Sequence, residues 1–569
     1  MDCQIVPVDA LKRCCVLVLL LTHSLASGSL WAQPAAGGRL VVGLKSEPRT
    51  LNPVFASDRA SLTVNRLLHS DLIRIDRETQ RPLSWLASRF ESSPTTLDVE
   101  LRPGLRFSDG QPLTVDDVLF SLRLYLDESV GSPYRELLAA GAEPPILERR
   151  PNGVRLRTGA PRAVMERVLD GLPILPRAAL SERLDSGKLA DSWGLGESKQ
   201  VVGLGPFRVA EYSAGRFLRL ERNPYYWRTD ADGRALPLLD EVVFVFGDAA
   251  ALAARFEQGE VDVLDGLSGQ DFKLLEQRAS SQRLVDLGAG LGYEFLFFNR
   301  NRPGPRPEAV RWFADTKFRK AISRAIDRKI LVEAAYGGRA EPLSLHVSSG
   351  DRLWFDRASE APRRSLAGAH ALLANAGYVL RDGRLHDPEG LAVVLNIVTN
   401  SSNRSRQQAA SLIRQDLEEL GIEVSVATLE FRSFLERIFE ARDYDLAILG
   451  LARGDVDPNP DLNVFRTGGS NRVWELTGGA EEDAPWQPEI DRLLVEQRSM
   501  HEASARRAAY SRVLELLRQH EPVVFLVAPH VLVAASAGLG NFAPVVLGHP
   551  TLWNADELYW VDPNRRTRR

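Results

Sequence analysis

The sequence has three cysteines, Cys3, Cys14 and Cys15, and none after residue 15. Everything downstream can form no disulfide and offers no thiolate to a metal. No apolar run reaches the roughly 20 residues that a membrane-spanning helix needs. Nine histidines are scattered, with no His-Glu-x-x-His pair and no tight His/Asp cluster, so no metal site is expected. The sequence also lacks a G-x-S-x-G elbow, a G-x-x-x-x-G-K phosphate loop and a dinucleotide fingerprint following a strand. The familiar catalytic classes and their cofactors are therefore not expected. Charge of one sign is missing too: 71 basic and 75 acidic residues leave a formal charge of −4. That balance gives nucleic acid no electrostatic footprint. The short basic end, Arg565, Arg566, Arg568 and Arg569, is expected to be solvated, and the acidic groups Asp116-Asp117 and Glu481-Glu482-Asp483 read as a helix first turn and a loop.

What is present is enough chain for at least two packed units: 569 residues, 44% hydrophobic and 26% charged. Lys12 and Arg13 precede an apolar run from Cys14 to Leu21, and small and polar residues then lead to Trp31 and Ala32. This pattern predicts an export signal over residues 1–32, cleaved after Ala32, with Gly28 as the second choice. A lipid anchor needs a cysteine just after the apolar run, whereas Cys14 and Cys15 stand at its start. The mature chain is expected to be free in the periplasm or another extracytoplasmic space.

Strand and helix signals alternate along the rest. Leu40–Leu44 is a short apolar strand followed by turn residues, and Thr96–Leu101 alternates as a hairpin strand ending at Pro103-Gly104. Thr114 is placed to cap a helix with Asp116 and Asp117 in its first turn and Val118, Leu119, Leu122, Tyr125 and Leu126 on one stripe. Phe207–Glu211 and Phe217–Glu221 read as a β-hairpin. Tyr293–Asn299 is almost wholly apolar and aromatic, as a strand buried on both faces would be. A long helix is predicted after it, stopped by Gly337-Gly338.

The clearest pattern lies between Leu391 and Leu449. Strand signals at Leu391–Thr399, Ile422–Leu429 and Tyr444–Leu449 alternate with helix signals at Ser405–Leu420 and Phe431–Ala441. That is β-α-β-α-β, the unit of a mostly parallel sheet covered by helices. Such sheets bind ligands beyond the carboxyl ends of their strands. Two of those ends carry polar loops, Asn400 to Arg404 and Arg453 to Asp457. Pro488–His520 then reads as largely helical and Val523–Val533 as a strand.

Several segments resemble the family 5 extracellular solute-binding proteins, the dipeptide- and oligopeptide-binding proteins of bacterial ABC importers. They are LVVGLKSEPRTLNP from Leu40, LRPGLRFSDGQPLTVDDVLFSLR from Leu101, GLGPFRV from Gly203, LERNPYYW from Leu220, FNRNRP from Phe298, FRKAISRAIDRKILV from Phe318, ALLANAGY from Ala371 and PEIDRLL from Pro488. Each is weak alone; in family order from about residue 39 to 560 they cover essentially the whole mature chain. The resemblance implies an α/β, two-lobed periplasmic-binding-protein fold of the type II-like, three-domain variety. The nucleus of lobe 1 would be built from 39–84, 196–292 and 535–560, with an inserted domain over 85–195. Lobe 2 would span 300–522, and crossings at 293–299 and 523–534 would form the hinge.

The resemblance further implies capture of a di- or oligopeptide, delivered to the transmembrane subunits of an ABC permease, by a receptor that is a monomer and no enzyme. Family members for nickel chelates, opines or sugars share the fold, and a sensor for a membrane signalling partner is a further alternative. It also implies that an aspartate in the loop after the last strand of the unit pairs with a peptide α-ammonium. Asp455 holds the best matching position, but the loop is one residue shorter than the dipeptide-binding pattern, which leaves Asp457 in competition. Polar candidates nearby are Arg453, Asn400, Asn471 and Arg472, since an arginine fork suits a ligand carboxylate. Aromatic wall candidates are Trp354 and Trp474, with Tyr293, Phe297 and Phe355 behind them, Phe297 reading better as core.

Overall fold

The computed structural model describes residues 36–562 apart from 136–137, 139–142, 279–281, 302–305, 357–359 and 477–483. The expected export segment, the acidic group 481–483 and the basic end lie outside the described residues. None of the described helices is long and apolar enough to cross a membrane.

In the first half, Arg39–Leu44 pairs in parallel with Glu241–Phe246 and Val263–Leu264. The hairpin Phe207–Ser213 and Phe217–Arg222 extends this sheet antiparallel beyond Glu241–Phe246. A separate four-stranded antiparallel sheet runs in the order Ala87–Ser92, Thr96–Leu101, Gly153–Arg157, Ile146–Arg150. The helix Val115–Leu126 packs beside it, and its start is fixed as the sequence predicts. The Thr114 side chain accepts from the Asp117 backbone, and the Asp117 carboxylate accepts from Thr114 in return.

In the second half, Val394–Asn400 lies parallel to both Glu423–Leu429 and Leu446–Leu451, with Arg404–Glu418 as the crossover helix. Asn403 caps that helix by accepting from Arg406 N. Gly421, at φ 83°, turns the chain out of it, a conformation open to glycine at little cost. Tyr293–Phe298 joins antiparallel, and all six residues are buried. Leu296 and Phe298 pack with Leu446 and Ile448 on one face, Phe295 and Phe297 with Ala447 and Leu449 on the other. Two covered faces explain the mostly apolar run, in which the one charged residue, Glu294, is paired with Arg406.

The long helix expected after residue 299 is divided. Pro307–Ala314, Thr316–Ala325 and Arg328–Ile330 are separate helices, followed by a π-helical turn, Leu331–Ala335. Asp315 and Asp327 cause the breaks: each side chain accepts backbone N–H groups of a new helix start. Ile326 between them is extended, at ψ 124°.

The two halves share one strand. Val523–Ser536 pairs through its first residues with Tyr293–Phe298 and through its last with Gln282–Ala289 and Val263–Leu264. One sheet thus passes from one lobe into the other, in the strand order Leu446–Leu451, Tyr293–Phe298, Val523–Ser536, Val263–Leu264, Arg39–Leu44.

Candidate functional site

The carboxyl end of Leu446–Leu451 opens into the loop 452–458, which faces the first half. Ala452 and Gly454 are exposed, while Val456, Asp457 and Pro458 are buried. Arg453 points into its own lobe. Its guanidinium lies 3.4 Å from Asp351 and 3.7 Å from Asp461 and donates to the Val456 carbonyl at 3.2 Å. Burial alone would raise Asp461, but Arg453, His346 and Tyr510 hold it at about 2. Burial pushes Asp351 up to about 6 against the attraction of Arg453. Arg453 therefore sets the loop's shape from beneath.

Asp457 is held by Arg506 of the same lobe through two hydrogen bonds, 2.7 and 3.0 Å. Asp455 is held across the gap. Arg167, in the short helix Met165–Val168, donates from Nε to Asp455 Oδ2 at 2.8 Å and from Nη2 to Oδ1, and its Nη1 donates to the Gln80 carbonyl at 2.8 Å. Asp455 Oδ1 also accepts Val456 N at 2.8 Å. Both acids that sequence reading set against each other are thus satisfied by arginines, one from within and one from the facing lobe.

Other groups reach across the same gap. Gln80 donates to the Gly350 carbonyl at 3.1 Å and accepts Arg352 N at 3.2 Å. Ala163 N donates to the Arg498 carbonyl at 2.5 Å. Val164, next to it, takes the left-handed conformation at φ 52°, which a β-branched residue holds only when its surroundings impose it. Ile75, Leu291, Val456 and Leu547 form an apolar cluster between the lobes, and Leu353 and Trp354 pack against it.

Behind Arg167 lies a buried charge ladder. Asp170 accepts from Arg66 at 3.2 Å and from Arg77 at 3.0 Å, and Arg66 continues to Asp71 at 2.6 Å. Burial raises Asp170, but Arg77, Arg66 and Arg74 outweigh it and hold the carboxyl at about 2. Beyond Asp71, Arg74 stacks on the Trp85 ring at 4.1 Å. Sequence reading did not find Arg66, Arg77, Gln80, Arg167 or Asp170, because none belongs to a local motif.

The remaining candidates fall in different places. Trp354 is half-buried at the interlobe cluster, its ring 5.1 Å from Tyr510 and edge-on to it, and its backbone N–H donates to Asp351 at 3.0 Å. Asn400, at the end of its strand, donates to Ser402 at 2.8 Å and accepts from Arg406, which is paired with Glu294 at 2.7 Å. Asn471 is exposed, and its backbone N–H bonds Asn463 O at 2.8 Å. Arg472 is buried and donates to the Phe465 carbonyl at 2.7 Å. Trp474, 1% exposed, packs beside Phe465 and under Arg472, so it serves the lobe core and offers no wall. Tyr293 and Phe297 are core as well, at 2% and 0%; Phe355 is half-buried against the same core as Trp354. Among the described residues no group of three or more His, Cys, Asp or Glu side chains is placed to hold a metal ion.

Two α/β lobes, one strand common to both, and loops meeting across a gap at the sheet's carboxyl ends define a bilobal solute-binding receptor. Residues 81–472 match the family described as bacterial extracellular solute-binding proteins, family 5 Middle. The chain belongs to that family, and it is an extracytoplasmic binding protein rather than an enzyme. It is 26% identical over 532 residues to the oligopeptide-binding protein AppA of Bacillus subtilis, covering 90% of each chain. Its fold is similar to that of the periplasmic binding protein DppA of Helicobacter pylori in complex with the peptide STSA, with TM-score 0.73, 20% identity and coverage of 94% and 100%. It is also similar to NikA of Brucella suis in complex with Fe(III)-EDTA, with TM-score 0.77, 18% identity and coverage of 92% and 99%.

Proposed function

We propose that this receptor captures a di- or oligopeptide, or a similar small solute, in the gap between its lobes and delivers it to the transmembrane subunits of an ABC permease. It does so as a periplasmic or otherwise exported monomer, after loss of residues 1–32. Lobe 1 comprises a nucleus of 39–84, 196–292 and 535–560 with the insertion 85–195; lobe 2 comprises 300–522; 293–299 and 523–534 are the hinge crossings. The observation that carries this reading is the loop 452–458. It leaves Ala452 and Gly454 exposed at the carboxyl end of the lobe 2 sheet, with the Gly454 carbonyl accepting from Gly548 N at 3.5 Å, and a ligand's extended backbone can reach that end. Trp354 and the Asn400–Arg406 pair supply an apolar and a polar flank. The similarity to a peptide-binding oligopeptide receptor supports the same ligand class.

Ligand binding then favours closure because one solute touches both lobes. Mass spectrometry of the protein purified without unfolding, followed by calorimetry against the masses found, tests the reading. Peptides released on denaturation are the expected result. A released sugar, opine or metal chelate, with no heat from peptides, would replace peptide by that solute and keep the receptor role.

A further inference from the structure

Of the two acids in the loop 452–458, Asp455 is the one that faces the other lobe, and in this structure its counter-ion is part of the protein. Both oxygens are engaged by Arg167, and Oδ1 also accepts Val456 N. The Arg167 side chain is 7% exposed and Asp455 27%. An ammonium that displaced Arg167 would strand a buried guanidinium with the Gln80 carbonyl as its remaining hydrogen-bond acceptor. The nearby acids are committed elsewhere: Asp170 to Arg66 and Arg77, Asp457 to Arg506. Arg66, Arg74 and Arg77 already crowd this wall with positive charge. A stranded buried cation is far more costly than an intact pair.

We propose that Arg167 is the resident cation of Asp455 and thereby sets the ligand chemistry: the solute presents an uncharged or anionic end to this loop, as an N-acylated or N-cyclised peptide does, and not an ammonium. This rests on the peptide reading above and narrows it. The same ion pair ties lobe 1 to lobe 2, so the protein itself supplies part of the bridge that a cationic ligand end would otherwise make.

The test uses the mature chain, its Arg167→Met and Asp455→Asn variants, and the double variant. A pool of tripeptides to hexapeptides is offered in free-amine and N-acetylated forms, and uptake is read by native mass spectrometry. The unaltered protein is expected to take the acetylated pool at least as well as the free one. Arg167→Met is expected to gain about tenfold for free amines, one charged hydrogen bond's worth, and Asp455→Asn to erase that gain. A tenfold preference of the unaltered protein for free amines, unimproved in Arg167→Met, overturns the proposal while leaving the peptide reading intact. If neither pool binds, the peptide reading fails, and the lobe-to-lobe dye distance of the ligand-free proteins decides the rest. Equal opening in both single variants, with no more in the double, upholds the resident pair; no opening, or additive opening, overturns it.

Discussion

Gly269 opens the helix Gly269–Arg278 of lobe 1 where it meets the end of the π-helical turn of lobe 2. A Cβ placed on it would sit 1.8 Å from the Tyr336 carbonyl oxygen and 2.7 Å from the carbonyl carbon. Both are backbone atoms, so no rotamer change relieves the clash. The neighbouring Gln270 holds the contact from the side, donating to the Ala335 carbonyl at 2.7 Å. Gly269→Ala must therefore separate the two lobes locally. Overpacking of this kind costs about 1–3 kcal/mol, which lowers the closed-to-open ratio roughly 5- to 150-fold. Cysteines at exposed Lys188 and at Arg432, whose side chain is 86% exposed, can carry a dye pair, since the native cysteines end at residue 15. The expected result is a longer mean dye distance and a ligand affinity reduced by the same factor, with a small change in melting temperature. A lower melting temperature with unchanged distance and affinity would refute the reasoning, because the contact would then persist in the open form.

Asp170→Asn leaves Arg66 and Arg77 without their shared acid. A loss of about 3–5 kcal/mol is expected from breaking a buried pair on one side, read as a large drop in chemical-denaturation midpoint. Trp474→Ala should cost about 3–5 kcal/mol as a core truncation, while Trp354→Ala should cost less stability and more ligand affinity; equal effects on both readouts in the two variants would contradict their assignments. Burial lowers His69 to about 4, although the Leu51 carbonyl opposes the shift. The folded chain thus resists a proton that the unfolded chain accepts below about 6.5. Stability from this group is full above pH 6.5 and is lost as pH falls toward 4, by on the order of 2–3 kcal/mol. His69→Gln should flatten the pH dependence of unfolding in that window, and an unchanged slope would count against the assignment.

The parallel unit around Val394–Asn400 and the hairpin at Phe207–Ser213 were legible because their signals are local: a period, a cap, a glycine at a turn. The break at Ile326 was not, since Asp327 inside an apolar stripe reads equally as a polar face or as a new cap. The loop after Leu451 was found through the same sheet logic, yet its chemistry was not, because Arg167 and Asp455 stand 288 residues apart in sequence. Trp474 and Trp354 look alike in sequence. Only packing separates a ring under Arg472 from one at the edge of the gap.

The strand Val523–Ser536 lies between Tyr293–Phe298 and Val263–Leu264, yet it is made after every other strand of that sheet. Neither half can complete its sheet until that ribbon arrives, so synthesis holds both in an unfinished condition until residue 536 has been added. A chain crossing a membrane unfolded gains from this late commitment. A stop before residue 523 would cripple both halves at once rather than spare the first.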